Sequence, residues 1–272
     1  MAEVTIGSIM TAVERWYPIE LADEWDQIGL SVGDPAALVS SILLTVDITD
    51  AVLNQAKHLG ANLIIAHHPL DLAEVPGIVT QQHIARIINF AATSKIALYS
   101  AHTNADNAPA GVSDAIMTAI GAVVTGSISD PTNFIGTGRV GYFAQPVQLR
   151  ELAIRIAEML PPNSAGVKFA GDQTQPISRI AVCGGSGSGL LPKVAQLDVD
   201  AYLTADLKHH AALDHLANSS IALINVSHWA SEWLWLATLA AKLNQEFPMI
   251  STVVSEICTD PWHGQIATDE TR

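Results

Sequence analysis

HLGANLIIAHHPL, from His58 to Leu70, is the stretch whose reading decides the fold. Gly60 stops a helix. Leu63-Ile64-Ile65-Ala66 is a continuous apolar run, and His67-His68-Pro69 ends it. Continuous runs mark parallel strands buried on both faces, and open α/β sheets bind ligands beyond the carboxyl ends of their strands. The pattern recurs further along the chain. Ile96-Ala97-Leu98-Tyr99 runs into His102 and Asp106, and Ile221-Ala222-Leu223-Ile224 runs into His228 and Glu232. Imidazole nitrogens and carboxylate oxygens gathered at strand ends are the donors a divalent metal needs.

Outward from this stretch, strand-like and helix-like units alternate. Ser41–Thr45 reads as a strand ending at Asp47, Asp50–Leu59 as a helix, and Asn62–Ala66 as the next strand. Gln81–Thr93 reads as a helix, Ile96–Ser100 as a strand, and Ser113–Ile120 as a helix stopped by Gly121. Between Ser127 and Arg139 the composition turns to Ser, Thr, Gly and Pro, which suggests a domain boundary. After a helix at Leu149–Leu160 the rhythm restarts: strands at Ile177–Cys183, Ala201–Thr204 and Ile221–Val226 alternate with helices at Leu190–Leu197, His209–Ala217 and Ser231–Leu243. HLGANLIIAHHPL (58–70) has a counterpart in QLDVDAYLTADLKHH (196–210), and KIALYSAHTNAD (95–106) has one in SIALINVSHWASE (220–232). The expected fold class is therefore α/β, with two related domains of mostly parallel sheet and a metal site in the cleft between them. The expected domains are residues 1–130 and 131–272, with the C-terminal segment 232–272 free to pack back on the first.

Composition narrows the function classes. The 272 residues are 49% hydrophobic, enough for a sizeable core. With 13 Lys+Arg against 27 Asp+Glu, the formal charge is −14. That argues against bulk nucleic-acid binding, which needs clustered cations. A small anionic substrate is compatible if metal ions supply local positive charge. Cys183 and Cys258 are too few for a disulfide framework, and each reads as a small buried hydrophobe. The N-terminus reads as an amphipathic helix ending near Pro18, not as a signal peptide. No apolar run is long enough for a transmembrane helix, so a cytoplasmic protein with no membrane partner is expected.

Each motif has a bland reading beside the chemical one. His67 and His68 are either ligands serving two metals from opposite sides of the chain, or turn histidines bonded locally. His102 and Asp106, spaced i, i+4, share a face if the segment is helical, and otherwise belong to a polar loop. His228 and Glu232 offer one nitrogen and one carboxylate that bridges two cations, unless Glu232 merely complements a helix N-terminus. Trp229 and Trp233 share a face and read as core. Cys183-Gly184-Gly185-Ser186-Gly187-Ser188-Gly189 is either a phosphate cradle or a tight strand-to-helix turn. Asp206-Leu207-Lys208-His209-His210 is either a source of acid–base groups or a solvated helix start. Asp26 is either a buried hydrogen-bonded turn residue or a cleft residue.

Taken together, DEWDQIGLSVG (23–33), ILLTVDIT (42–49), LIIAHHPL (63–70), YSAHTNAD (99–106), GRVG (138–141), AVCGGSGSGLL (181–191), DAYLTADLKHH (200–210) and VSHWASE (226–232) resemble the Ngg-interacting-factor-three-like family, also known as GTP cyclohydrolase 1 type 2 homologues. The resemblance covers nearly the whole chain. It implies a two-domain α/β protein with a dinuclear metal site in the interdomain cleft, and a homohexamer built as a trimer of dimers. On this sequence the family's ligand pattern falls on His67, His68, Asp106, His228 and Glu232, with Glu232 bridging two divalent cations (Zn, Fe, Mn or Co). His102 and His210 are the catalytic candidates, His102 as a residue behind the ligands or facing substrate. Ala205 replaces a glycine common before Asp206, and Trp229 stands where Tyr or Phe is frequent; neither change removes a donor. The resulting function is a metal-dependent hydrolase acting on a small-molecule, nucleotide-like substrate. The alternative is a metal-binding regulatory or scaffold ring without turnover.

Overall fold

The computed structural model describes residues 3–70 and 82–266. The chain divides into two compact units: Met1–Ala108 with Leu236–Thr259, and Pro109–Trp235 with Asp260–Arg272. The first contains α1 (Ile6–Trp16), β1 (Gly29–Val32), β2 (Ser41–Thr45), α2 (Asp50–Leu59), β3 (Leu63–Ala66), α3 (Gln82–Ser94), β4 (Ala97–Ser100) and α4 (Thr103–Asn107). The second contains α5 (Val112–Ala119), β5 (Val123–Gly126), β6 (Arg139–Gln148), α6 (Leu149–Met159), β7 (Lys168–Ala170), β8 (Pro176–Ser186), α7 (Leu191–Val194), β9 (Ala201–Ala205), α8 (His209–Asn218) and β10 (Ala222–Val226). The division falls within α9 (His228–Glu246), and β11 (Ser251–Val254) belongs to the first unit.

The local signals behave as physical chemistry requires. Thr5 and Ser8 form a capping box at α1. The Thr49 side chain caps α2, and Gly60 ends it at φ 68, a left-handed turn that sends the chain straight into β3. The expected helix at Gln81–Thr93 is α3; Gln81 itself lies outside the described residues. In the first unit, Val52, Leu53 and Ala56 of α2 and Ile87 and Ala91 of α3 pack with Leu43, Ile64 and Leu98 of the sheet. The strand residues between these, Ile42, Leu44, Leu63 and Ile65, are buried as well. A strand covered on both faces needs an unbroken apolar run, and each fully buried side chain of this size contributes about 1.5–3 kcal/mol.

The first sheet has the order β1-β4-β3-β2-β11, with β4, β3, β2 and β11 parallel and β1 antiparallel at the edge. The second has the order β5-β6-β8-β9-β10-β7, with β8, β9 and β10 parallel and β5, β6 and β7 joined antiparallel. The four-strand run β1-β4-β3-β2 has its equivalent in β7-β10-β9-β8, antiparallel edge included. The two weakly similar sequence blocks therefore share one topology.

Some expectations need correcting. The Ser127–Arg139 stretch lies inside the second unit, as the connection between paired strands β5 and β6. It is rich in small polar residues because it bonds to itself: Ser127 Oγ donates to Asp130 O at 3.0 Å, and Asp130 Oδ1 accepts from Thr132 N at 3.0 Å. The division falls instead at Ala108–Pro109. Cys183 is buried, but Cys258 is exposed. The helix expected at Leu190–Leu197 shrinks to the single turn α7. No helix among the described residues is long and apolar enough to cross a membrane.

Candidate metal centre

Register brings the first donor set together. Thr45 pairs with Ala66, and Ala66 with Ser100, so β2, β3 and β4 end level. The ladder runs on past the strands: His67 N donates to Thr45 O at 3.0 Å, His68 N to Val46 O at 2.9 Å, and Ala101 N to Ala66 O at 3.1 Å. His67, His68 and His102 therefore emerge at one edge. Their ring centroids are 5.1 Å (His67–His68), 5.1 Å (His67–His102) and 5.2 Å (His68–His102) apart. One ring nitrogen or equivalent donor atom from each lies within 4.8 Å of the others. His67 and His68 both contribute to this cluster, and His102 joins it, closer to the donors than the sequence suggested. Asp106, one turn along α4, places Oδ1 3.7 Å from His67 Nε2.

Each imidazole in this set has Nδ1 tied to an oxygen. His67 Nδ1 lies 3.0 Å from Ala101 O, His68 Nδ1 2.7 Å from Asp47 Oδ1, and His102 Nδ1 3.0 Å from Asp26 Oδ1. A carbonyl or carboxylate only accepts, so Nδ1 carries the proton and, in the neutral ring, Nε2 carries the lone pair. Asp47 also accepts from the Thr259 hydroxyl. Sequence reading noted Asp47 only as the end of a strand. Its place level with His68, one strand over, was the available signal.

Asp26 is the buried hydrogen-bonded turn residue of the two readings, with a fully buried side chain. Burial alone would raise its pKa. Hydrogen bonds from the His102 ring and from the Thr103 hydroxyl and amide outweigh it and hold the carboxyl down to about 2, against an ordinary 3.8. Depression of a carboxyl in the folded state adds stability above its unfolded pKa, and that contribution disappears as the pH falls through about 2. Asp26→Asn should therefore cost about 1–2 kcal/mol at pH 6 and progressively less below pH 4. Denaturant titrations of both proteins across that range check it; a penalty that grows on acidification would contradict the assignment.

The second unit has its own set. Ala205 pairs with Val226 and with Ser186, so β8, β9 and β10 end together. His228 Nδ1 lies 2.7 Å from Asp206 Oδ2, and His228 Nε2 lies 2.9 Å from Glu232 Oε1. Glu232 is 3% exposed. Asp206 sits at φ 52, a backbone region that side chains other than glycine rarely adopt, at the point where it reaches His228. Gly185 closes the arrangement. At φ +65, a Cβ added there would lie 2.4 Å from Glu232 Oε1 and 3.3 Å from His228 Nε2. Gly185 N donates to Ser231 Oγ at 2.9 Å, and its carbonyl accepts from Thr204 Oγ1 at 3.1 Å.

These bonds favour the tight strand-to-helix turn over the phosphate cradle. The amides of Gly184, Gly185 and Gly187 point at Ser113 Oγ (3.2 Å), Ser231 Oγ (2.9 Å) and Ala205 O (3.4 Å), and α7 is too short to offer an N-terminal anion site. The glycines serve close packing. Trp229 is buried as expected, with its ring 6.5 Å from that of Trp233. His210 is exposed at the start of α8, its ring 5.2 Å from that of His209.

The donor chemistry in each unit fits a divalent transition metal. Imidazoles held through Nδ1 by oxygen acceptors stand beside carboxylates, the arrangement that orients metal-binding histidines. Zn, Fe, Mn and Co all accept such mixed nitrogen and oxygen donors.

Known proteins resemble the chain end to end. A GTP cyclohydrolase 1 type 2 homolog of Streptomyces coelicolor is 38% identical over 98% of this chain and 96% of its own length. Another, from Clostridium perfringens, is 30% identical over 94% and 98%. The crystal structure of a Staphylococcus aureus protein superposes with a TM-score of 0.87 at 27% identity, covering 97% of this chain and 100% of that one. A Bacillus cereus protein related to NIF3 also gives 0.87, at 21% identity over 96% and 99%, and shares the fold. With the Duf34/NIF3 (NGG1p interacting factor 3) family model matching residues 4–261, the chain belongs to that family.

Proposed function

We propose that this chain is a dinuclear-metal-dependent hydrolase acting on a small, nucleotide-class substrate. One observation carries the reading: in His67, His68, His102 and His228 alike, Nδ1 is tied to a protein oxygen. That shared arrangement gives Nδ1 the proton, so in the neutral ring Nε2 keeps the lone pair that ligation requires. The proposed donors to two divalent cations are His67, His68, Asp106, His228 and Glu232, with Glu232 bridging. His102 and His210 are the proposed acid–base groups, His102 from within the histidine cluster. When bound, such a pair of cations lowers the pKa of water and so supplies a nucleophile near neutral pH. Ring opening, phosphoester hydrolysis and amide hydrolysis all suit this chemistry. The relatives' name, GTP cyclohydrolase 1 type 2 homolog, favours a nucleotide.

The test is a turnover screen of metal-loaded protein across nucleotides and phosphoesters, with metal content measured on the same sample. Two metals per chain with hydrolysis of one substrate class is the expected result. Two metals without any turnover would replace the hydrolase with a non-catalytic metal-binding regulatory or scaffold ring. A homohexamer, a trimer of dimers, is the proposed assembly; light scattering that gives a monomer mass at micromolar concentration would contradict it.

Asp206 supports this reading from behind His228. Asp206→Asn leaves the shape intact but removes the ionised acceptor that sets the His228 tautomer. Metal affinity should fall by roughly 10–100-fold, the usual effect of losing such a partner. A competitive chelator titration measures it, and an unchanged affinity would reduce Asp206 to a surface ion pair.

A further inference from the structure

Trp25 is an exposed indole beside the histidine cluster. It is 67% exposed, although tryptophans are on average among the more buried side chains. The backbone on either side of it is anchored. Asp23 N donates to Thr103 Oγ1 at 2.9 Å, Thr103 N donates to Asp26 Oδ2 at 3.0 Å, and the Thr103 hydroxyl bonds the same carboxylate. Asp26 N closes the turn onto Asp23 O at 2.9 Å. The indole stands edge-on to the His102 ring, with centroids 6.0 Å apart at 79°. His102 in turn lies 5.1 and 5.2 Å from His67 and His68. An exposed aromatic on an anchored turn thus borders the histidine cluster.

Charge says what kind of ligand such a surface suits. With a formal charge of −14, the chain offers few cations to hold an anionic substrate beyond what a metal supplies. Stacking is indifferent to that charge, because every nucleobase presents a π-face. A nucleotide carries both parts: a phosphate for metal and a planar ring for the indole.

We propose that Trp25 is the stacking platform for the planar heteroaromatic ring of the substrate, which makes a nucleotide, and not a bare sugar phosphate, the ligand class of this site. The proposal rests on the hydrolase reading for its substrate, and binding, not turnover, tests it. GMP and ribose 5-phosphate are titrated by calorimetry into the metal-loaded full chain, into Trp25→Ala and into Trp25→Phe. In Trp25→Ala, GMP affinity should fall roughly 5- to 150-fold, the equivalent of about 1–3 kcal/mol. Trp25→Phe should keep most of it, and ribose 5-phosphate should bind all three alike. Equal GMP affinity in wild type and Trp25→Ala overturns the proposal, as does a parallel loss of both ligands. A change in assembly mass with GMP affinity unchanged also overturns it and assigns the indole to a contact between copies. Metal content on the same samples separates the two readings. A fully loaded chain that does not take GMP sinks the platform alone. Trp25-dependent GMP binding in a chain that holds no metal upholds the platform and sinks the hydrolase.

Discussion

Glu232→Gln is expected to strip metal from the protein while leaving its fold in place. The side chain is 3% exposed, and Oε1 lies 2.9 Å from His228 Nε2. The amide has almost the same shape, so packing around it is preserved. In the proposed dinuclear site it would lack the negative charge that offsets repulsion between two dications, so the more weakly held metal should leave first. Any hydrolytic activity should fall with it if, as proposed, the nucleophile depends on both ions. Glu232 also lies near the start of α9, just past its first turn, where a carboxylate complements the helix dipole only weakly. If that were its whole role, the change would cost about 0.3–1 kcal/mol and leave metal binding untouched. Metal content and melting temperature measured on one sample distinguish the cases. Full occupancy in the variant rules out bridging.

Gly185→Ala should damage stability and site together. The backbone at φ +65 belongs to the left-handed region, and the new methyl would lie 2.4 Å from Glu232 Oε1. Left-handed backbone and forced overpacking together should cost about 2–4 kcal/mol. Either the carboxylate moves or β8 does, and both displace a donor. Urea unfolding should show a lower midpoint, and metal analysis a lower content. Gly189→Ala is the control, since a Cβ there meets nothing within 4 Å and its φ is unremarkable. Equal behaviour of the two variants would mean that the space beside Glu232 is not needed.

Sequence by itself determined the parallel core and the residues at its strand ends. Asp50–Leu59 is a helix between Thr49 and Gly60 because capping and left-handed termination are local chemistry. Leu63–Ala66 is legible as a strand because burial on both faces demands a continuous apolar run. Edge strands obey no such rule. β1 is partly buried throughout and bounded by glycines, so Gly29–Val32 carries no strand signal of its own until it pairs antiparallel with β4. β11 joins β2 from more than two hundred positions away in the chain, and nothing local announces that. The composition shift at Ser127–Arg139 reflects a self-bonded connection, because small polar residues satisfy their own backbone in a long loop as readily as they link domains.

The histidines were legible for the same reason as the strands they end, but their partners were not. Asp26 reaches His102 across 76 residues, and Asp206 reaches His228 across 22. Sequence distance carries no information about such pairs. They meet because parallel pairing levels the ends of neighbouring strands, and that register exists only once the sheets have formed. The same holds for Gly185: its lack of a side chain matters only because tertiary packing brings a buried carboxylate to the space a Cβ would fill.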